Sequence, residues 1–237
     1  REKQFTLFHR DAFQGSPHTA RILFIYTVFI VYAELHCLTH YSFLRGASAP
    51  EELVGRAANS GYHALAITDE CSLAGVVKAH VAAKERGLKL ILGSEFTLNE
   101  GIRLVALVPS REAYGELSGL ISRARRRSGK GEYRVHLRDV IFHLKRCLLI
   151  LLPDDTDNQA VHLQQLARRC QGRVWIGISR LVGNDEWRRF KHRYYTAQNL
   201  QVPMVACGEV QMHGAKRKAL HDVLTAIRLQ TPVQQLG

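Results

Sequence analysis

An α/β fold with seven strands in a largely parallel sheet is what this sequence predicts, and three observations predict it. From Val31 onward, short apolar runs alternate with longer amphipathic stretches, the pattern of strands and helices wound about one sheet. Glycines fall where the helical stretches should stop, at Gly61, Gly87 and Gly172, because a helix commonly ends on a residue in the left-handed conformation. Polar residues collect just after the apolar runs, at the strand ends where α/β folds carry their chemistry.

The elements follow in order. Tyr32–His36 is the first strand, Ser48 is placed to cap a helix, and Pro50 suits the first turn of that helix, which runs to Asn59. Ala64–Thr68 is the second strand and Leu73–Arg86 the helix after it. Strands Leu88–Leu92 and Leu104–Val108 precede a helix over Arg111–Arg126, and Ser128 to Lys145 reads as a loop with a short helix. The rest alternates regularly: strand Cys147–Leu152, helix Asn158–Arg169, strand Val174–Ser179, helix Asp185–Asn199, strand Met204–Cys207 and helix Lys216–Arg228. Seven alternations fit a closed barrel or an open doubly wound sheet, and periodicity does not choose between them.

The chain of 237 residues, 46% hydrophobic and 23% charged, has enough material for one large domain or two small ones. Its 33 Lys and Arg against 21 Asp and Glu leave a net charge of +12. Such an excess attracts polyanions, with nucleic acid first among them, or else only solubilises the surface. Five cysteines, odd in number and never spaced as CxxC, suggest neither a disulfide framework nor a zinc ribbon and fit a reducing cytoplasm. Ile22 to Ala33 (ILFIYTVFIVYA) is apolar and follows basic residues as a secretory signal would. It is shorter than the roughly 20 residues that span a bilayer and lacks a small-residue cleavage site, so no membrane association is expected.

The polar strand ends can be read as a set: His36, Thr68-Asp69-Glu70, Gly93-Ser94-Glu95, Pro153-Asp154-Asp155, Ser179-Arg180 and Gly208-Glu209. Divalent metals that activate water for phosphoester hydrolysis need imidazoles and carboxylates converging from several elements. His36, Asp69, Glu70, Glu95 and Glu209 are the candidates, while turn chemistry alone also favours Asp at such places.

Two long motifs carry a family resemblance. Tyr32 to Phe96 (YAELHCLTHYSFLRGASAPEELVGRAANSGYHALAITDECSLAGVVKAHVAAKERGLKLILGSEF) resembles the opening of the PHP domain of bacterial error-prone polymerases of the C family, which are related to the polymerase III alpha subunit. Gly208 to Val233 (GEVQMHGAKRKALHDVLTAIRLQTPV) is similar to the final part of the same domain. The resemblance implies a distorted seven-stranded (β/α) barrel with a metal cluster: an HxH pair after the first strand, Asp-His after the second, Glu after the third and Asp-x-His near the end. His36 matches the first histidine, but the second falls on Leu38. Asp69 matches while Glu70 replaces its histidine, Glu95 matches, and the last pair reads Glu209 and Gln211. Three imidazole ligands are thus lost, which makes the remaining set a degenerate metal site. His40 and His213 could substitute only if the backbone redirected them. The resemblance therefore implies a scaffold beside the palm and finger domains of a DNA polymerase acting in damage-induced mutagenesis and translesion synthesis. DNA, deoxynucleotides and magnesium would belong to that parent protein.

Arg1 to Ile30 has no counterpart in the resemblance and includes Gly15, Ser16 and Pro17, a turn or linker signal. It is expected to be an extraneous or disordered extension ahead of a domain at 31–237, with Val31 where an initiator would stand; amino-terminal sequencing of the native protein checks this. Arg123 to Arg146 carries nine Lys or Arg against Glu132 and Asp139, a local charge of +7. Arg123, Arg125, Arg126, Arg127 and Lys130 are its candidate contacts to a DNA backbone, with smaller groups at Arg188, Arg189, Lys191 and Arg193 and at Lys216, Arg217 and Lys218. Two competing readings remain: a free-standing metal-dependent phosphoesterase of the PHP type, and a non-enzymatic nucleic-acid-binding barrel.

Overall fold

The structure, a computed structural model, describes residues 32–154, 159–179 and 186–236. The expectations for residues 1–30, Asp155, Arg180 and Asp185 lie outside these. Seven strands form one sheet in sequence order: β1 (Ala33–Glu34), β2 (Ala64–Ile67), β3 (Lys89–Thr97), β4 (Arg103–Val108), β5 (Leu148–Leu152), β6 (Val174–Ile178) and β7 (Met204–Ala206). Beyond its last strand the chain returns to the first, where Leu38 N–H donates to the Val210 carbonyl at 2.8 Å and Val210 N–H to the His36 carbonyl at 2.9 Å. The sheet is thereby a nearly closed barrel, and the choice left open by periodicity falls to the barrel.

Helices cover the outside: α1 (Pro50–Asn59), α2 (Val76–Glu85), α3 (Arg111–Arg126), α4 (Leu137–His143), α5 (Ala160–Arg169), α6 (Glu186–Leu200) and α7 (Lys218–Leu229). Gly61, Gly87 and Gly172 all have positive φ, as their place at helix ends requires. Ser48 does not cap α1: its hydroxyl is engaged with His213, and the Ala49 N–H is satisfied instead by Glu52, at 2.8 Å.

Period-two alternation divides each strand between two cores. Leu104, Ala106, Leu149 and Leu151 face the helices, in a cluster with Leu117, Leu120, Val140 and Leu166, while Val105, Leu107, Ile150 and Leu152 fill the barrel interior with Ala66 and Cys207. Each fully buried leucine contributes about 1.5–3 kcal/mol, so these two layers are the main apolar support of the barrel. All five cysteines are buried free thiols. Among the described residues no helix is long and apolar enough to cross a membrane.

Two departures from the expected elements shape the site. The third strand runs on through Gly93, Ser94 and Glu95, past the end expected at Leu92, and pairs antiparallel with β4 from Leu92↔Val108 to Thr97↔Arg103. A tight reversal at Leu98–Ile102 joins them, with Gly101 at φ 81°. β4 also runs antiparallel to β5, so its amino end lies at the mouth where the parallel strands have their carboxyl ends. The first strand, expected to reach His36, stops at Glu34 because side chains take over the ladder: the Glu34 carboxylate accepts from the His36 and Gly208 N–H groups at 2.9 and 2.7 Å, and Thr68 Oγ1 accepts from Cys37 N–H at 3.0 Å.

Candidate functional site

The mouth of the barrel gathers His36, Asp69, Glu70, Glu95 and Glu209, but protein groups bind them together. Glu95, fully buried on an inward position of β3, has one carboxylate oxygen 2.6 Å from His36 Nε2 and the other 2.8 Å from Arg45 Nη1. Arg45 Nη1 also donates to Glu70 at 2.8 Å, and the Tyr133 hydroxyl donates to the second Glu70 oxygen at 2.8 Å. Asp69 accepts from Thr39 N–H and Thr39 Oγ1, each at 2.8 Å, and from Ser42 Oγ at 2.7 Å. Glu209, with φ 50°, is paired with Arg103.

The loop after β1 is wound so as to present Arg45. Ser42 N–H donates to Thr39 O, Arg45 and Gly46 N–H both reach Ser42 O, and Ala47 N–H reaches Gln211 O at 2.8 Å. Gly46 permits this winding, since a Cβ there would sit 1.9 Å from the Thr39 carbonyl oxygen.

Electrostatics follow the geometry. Burial alone would raise the Glu95 carboxyl, but the hydrogen bond and charge of His36 and the guanidinium of Arg45 outweigh it and hold it at about 2, from an ordinary 4.5. Burial pushes Asp69 up, against the opposing pull of its bonds from Ser42 and Thr39. Burial also raises the Tyr133 phenol, helped by the neighbouring Glu70 charge, so it stays a donor to that carboxylate.

These donors do not fit a metal cluster. Both oxygens of Glu95 and of Asp69 already have protein partners, and Leu38, where the resemblance has a histidine, is fully buried. His213 is turned to Ser48 Oγ at 2.8 Å and Gln211 to His221, so neither reaches the mouth. Among the described residues no group of three His, Cys, Asp or Glu side chains is placed to hold a metal ion. The His36 Nδ1 atom is buried and without a partner among them.

Arg45 and Arg103 are the residues that a search for metal ligands passes over. Arg45 sits in a loop, and Arg103 opens a strand whose reversal was unforeseen. Its parity with Val105 and Leu107 aims it inward; that alternation was the available signal.

The basic cluster is divided. Arg125 is turned inward, donating to the carbonyls of Glu70, Cys71, Gly131 and Glu132 at 3.2–3.3 Å and lying over the Tyr133 ring. Arg127 pairs with Asp139 at 2.6 Å, and Arg123 packs on His143. Arg126 and Lys130 are exposed. A DNA contact by the whole run would therefore have to break bonds that hold the loop after α3.

Residues 34–171 match the PHP domain family, over half of the chain, and the chain belongs to that family. Among its relatives, the error-prone DNA polymerase of Saccharophagus degradans is 54% identical over 207 residues, covering 87% of this chain and 20% of that protein. The error-prone DNA polymerase of Teredinibacter turnerae is 47% identical over 208 residues, covering 88% and 20%. The chain spans about a fifth of the length of these relatives. Two solved structures share the fold: a protein assigned as a metal-dependent phosphoesterase of Bifidobacterium adolescentis, with TM-score 0.55, 18% identity and coverage of 78% of this chain and 88% of that one, and an amidohydrolase of Chromobacterium violaceum, with TM-score 0.56, 16% identity and coverage of 77% and 88%. The resemblance seen in Tyr32–Phe96 and Gly208–Val233 and the seven-stranded barrel it implied are borne out.

Proposed function

We propose that residues 31–237 are the PHP domain of an error-prone DNA-directed DNA polymerase and that the domain works there as a scaffold without hydrolytic chemistry of its own. The observation that carries this is the chemical state of the mouth. Arg45 bridges Glu70 and Glu95, Arg103 pairs with Glu209, and hydroxyls and a backbone amide hold Asp69. Each of these carboxylates is already engaged by a cation or by hydrogen-bond donors of the protein, which opposes the free ligands and free base that metal-assisted phosphoester hydrolysis requires. The relatives support the parent assignment. Polymerisation of deoxynucleotides on DNA, with magnesium in a palm domain, translesion synthesis after damage, and a cytoplasmic location all belong to that whole protein.

The purified chain should give no turnover of an aryl phosphate or a primer 3′ end with manganese or zinc. Its melting temperature should also be unmoved by a chelator or by those metals. A ligand at 100 times its Kd stabilises by about 2.7 kcal/mol, or roughly 5–10 °C for a domain of this size, so occupancy of a metal site would be plain. Hydrolysis abolished by Asp69→Ala, or a metal-dependent shift of that order, would promote the phosphoesterase reading. Sequencing the gene past the Gly237 codon tests the parent assignment separately.

A further inference from the structure

We infer that the outward strip of α6 binds single-stranded nucleic acid at the rim of the barrel. Four aromatic residues lie along fifteen residues of helix, in EWRRFKHRYYTAQNL, whose only acid is Glu186. Trp187, Phe190 and Tyr194 fall three and four residues apart, on one face, and their rings form a column: Trp187 and Phe190 have centroids 5.5 Å apart at 9°, and Phe190 and Tyr194 are 6.4 Å apart at 22°. Tyr195 abuts Tyr194 edge-on at 5.6 Å, and Lys191 Nζ sits 5.4 Å from the Trp187 centroid. The rings are not core residues, for Trp187 is 65% and Tyr195 61% exposed. The helix is fixed from its other side: the buried Arg193 guanidinium donates to the carbonyls of Pro153 and Gly177 and to Ser179 Oγ, at 3.2–3.3 Å, where β5 and β6 reach the mouth.

A helical strip in which Trp187, Tyr194 and Tyr195 are exposed, Trp187, Phe190 and Tyr194 are near-parallel, and cations lie between the rings favours one occupant. Unstacked bases offer flat faces that extend such a column, and their phosphates suit Lys191 and the exposed Arg189 beside it. Duplex DNA hides its base faces and can use only the cations. A protein partner would need acidic groups placed around an apolar centre, and nothing on α6 selects for that over a polyanion with stacking faces in a chain of net charge +12.

The test uses the purified 237-residue chain and an oligothymidylate of about 16 nucleotides, within the range of known single-strand sites. Binding should quench the fluorescence of Trp187, one of only two tryptophans, and weaken steeply with salt. Trp187→Ala and Tyr195→Ala should each weaken binding about tenfold, while Trp187→Phe keeps it, since a stacking face is worth about that much. Lys191→Gln should lower the slope of log affinity against log salt by about 0.7. Arg126→Ala with Lys130→Ala should match the unaltered chain, and a duplex of equal length should bind at least about tenfold more weakly. The inference falls if the oligonucleotide is not bound, which would leave the strip to a protein partner. It also falls if Trp187→Ala binds as well as the parent, if duplex and single strand bind alike, or if the Arg126 and Lys130 changes abolish binding.

Discussion

Arg45→Met should lower the unfolding free energy by about 3–5 kcal/mol, because removing one partner of a buried ion pair leaves the other charge uncompensated. For a domain of this length that is a fall of about 6–20 °C in melting temperature. The reason is specific to Glu95, which is fully buried and among the described residues has only His36 and Arg45 as partners for its carboxylate. Methionine keeps the aliphatic volume of the arginine stem and removes the charge, so packing is nearly conserved and the loss reads out electrostatics. Glu95→Gln in the same chain should recover part of the loss, since no buried charge then remains. The pH dependence has a definite sign. A carboxyl held at about 2 in the folded state and 4.5 outside it contributes stability in full above about pH 4.5 and loses it as the pH falls toward 2. Melting temperature should therefore drop across that window in the parent, and Glu95→Gln should flatten the drop. A melting temperature for Arg45→Met within about 2 °C of the parent would show that the mouth is not held by this charge pair.

That pair also marks the limit of what the sequence makes legible. Helices and strands are readable from period and punctuation, as at Gly61, Gly87 and Gly172, because local sterics govern them. The β3–β4 hairpin is not. Gly93 and Ser94 are turn formers by propensity and Glu95 is disfavoured in strands, yet here Gly93 is needed inside a strand, since a Cβ would lie 2.6 Å from the Ala106 carbonyl oxygen, and Glu95 is a strand residue aimed into a barrel. Tertiary pairing overrides the local preference. The same cause hides the cations of the site. His36, Asp69, Glu95 and Glu209 can be gathered from a rule about strand ends, whereas Arg103 joins them only once β4 is known to run backwards. Arg45 joins only once its loop is known to fold over the mouth. Glu34 was hidden too: it reads as one more polar residue in a strand, and its role in closing the barrel against Gly208 depends on the segment after the last strand meeting the first strand.

Gly46→Ala should destabilise the domain by about 3 kcal/mol, at the upper end of the cost of forcing a methyl group into a packed site, and the effect should fall on the mouth first. Gly46 does not need a positive φ, so backbone conformational freedom is not the issue. The obstacle is space: the added carbon would stand 1.9 Å from Thr39 O, 2.3 Å from Thr39 C and 3.0 Å from His40 N, all backbone atoms that cannot swing aside. Relief requires the strap from Thr39 to Ala47 to open, which breaks the Gly46 and Arg45 N–H bonds to Ser42 O and the Ala47 N–H bond to Gln211 O. Opening the strap also withdraws Arg45 from Glu95 and Glu70, and Ser42 and Thr39 from Asp69. One methyl group should thus uncouple the whole network, and hydrogen exchange should rise at Thr39, Arg45 and Ala47 before the barrel strands are affected. Because both changes act through the same ion pairs, Gly46→Ala combined with Arg45→Met should cost clearly less than the sum of the two. Full additivity in thermal melts would mean that the strap and the charge network are separate, and that Arg45 reaches Glu95 without the help of Gly46.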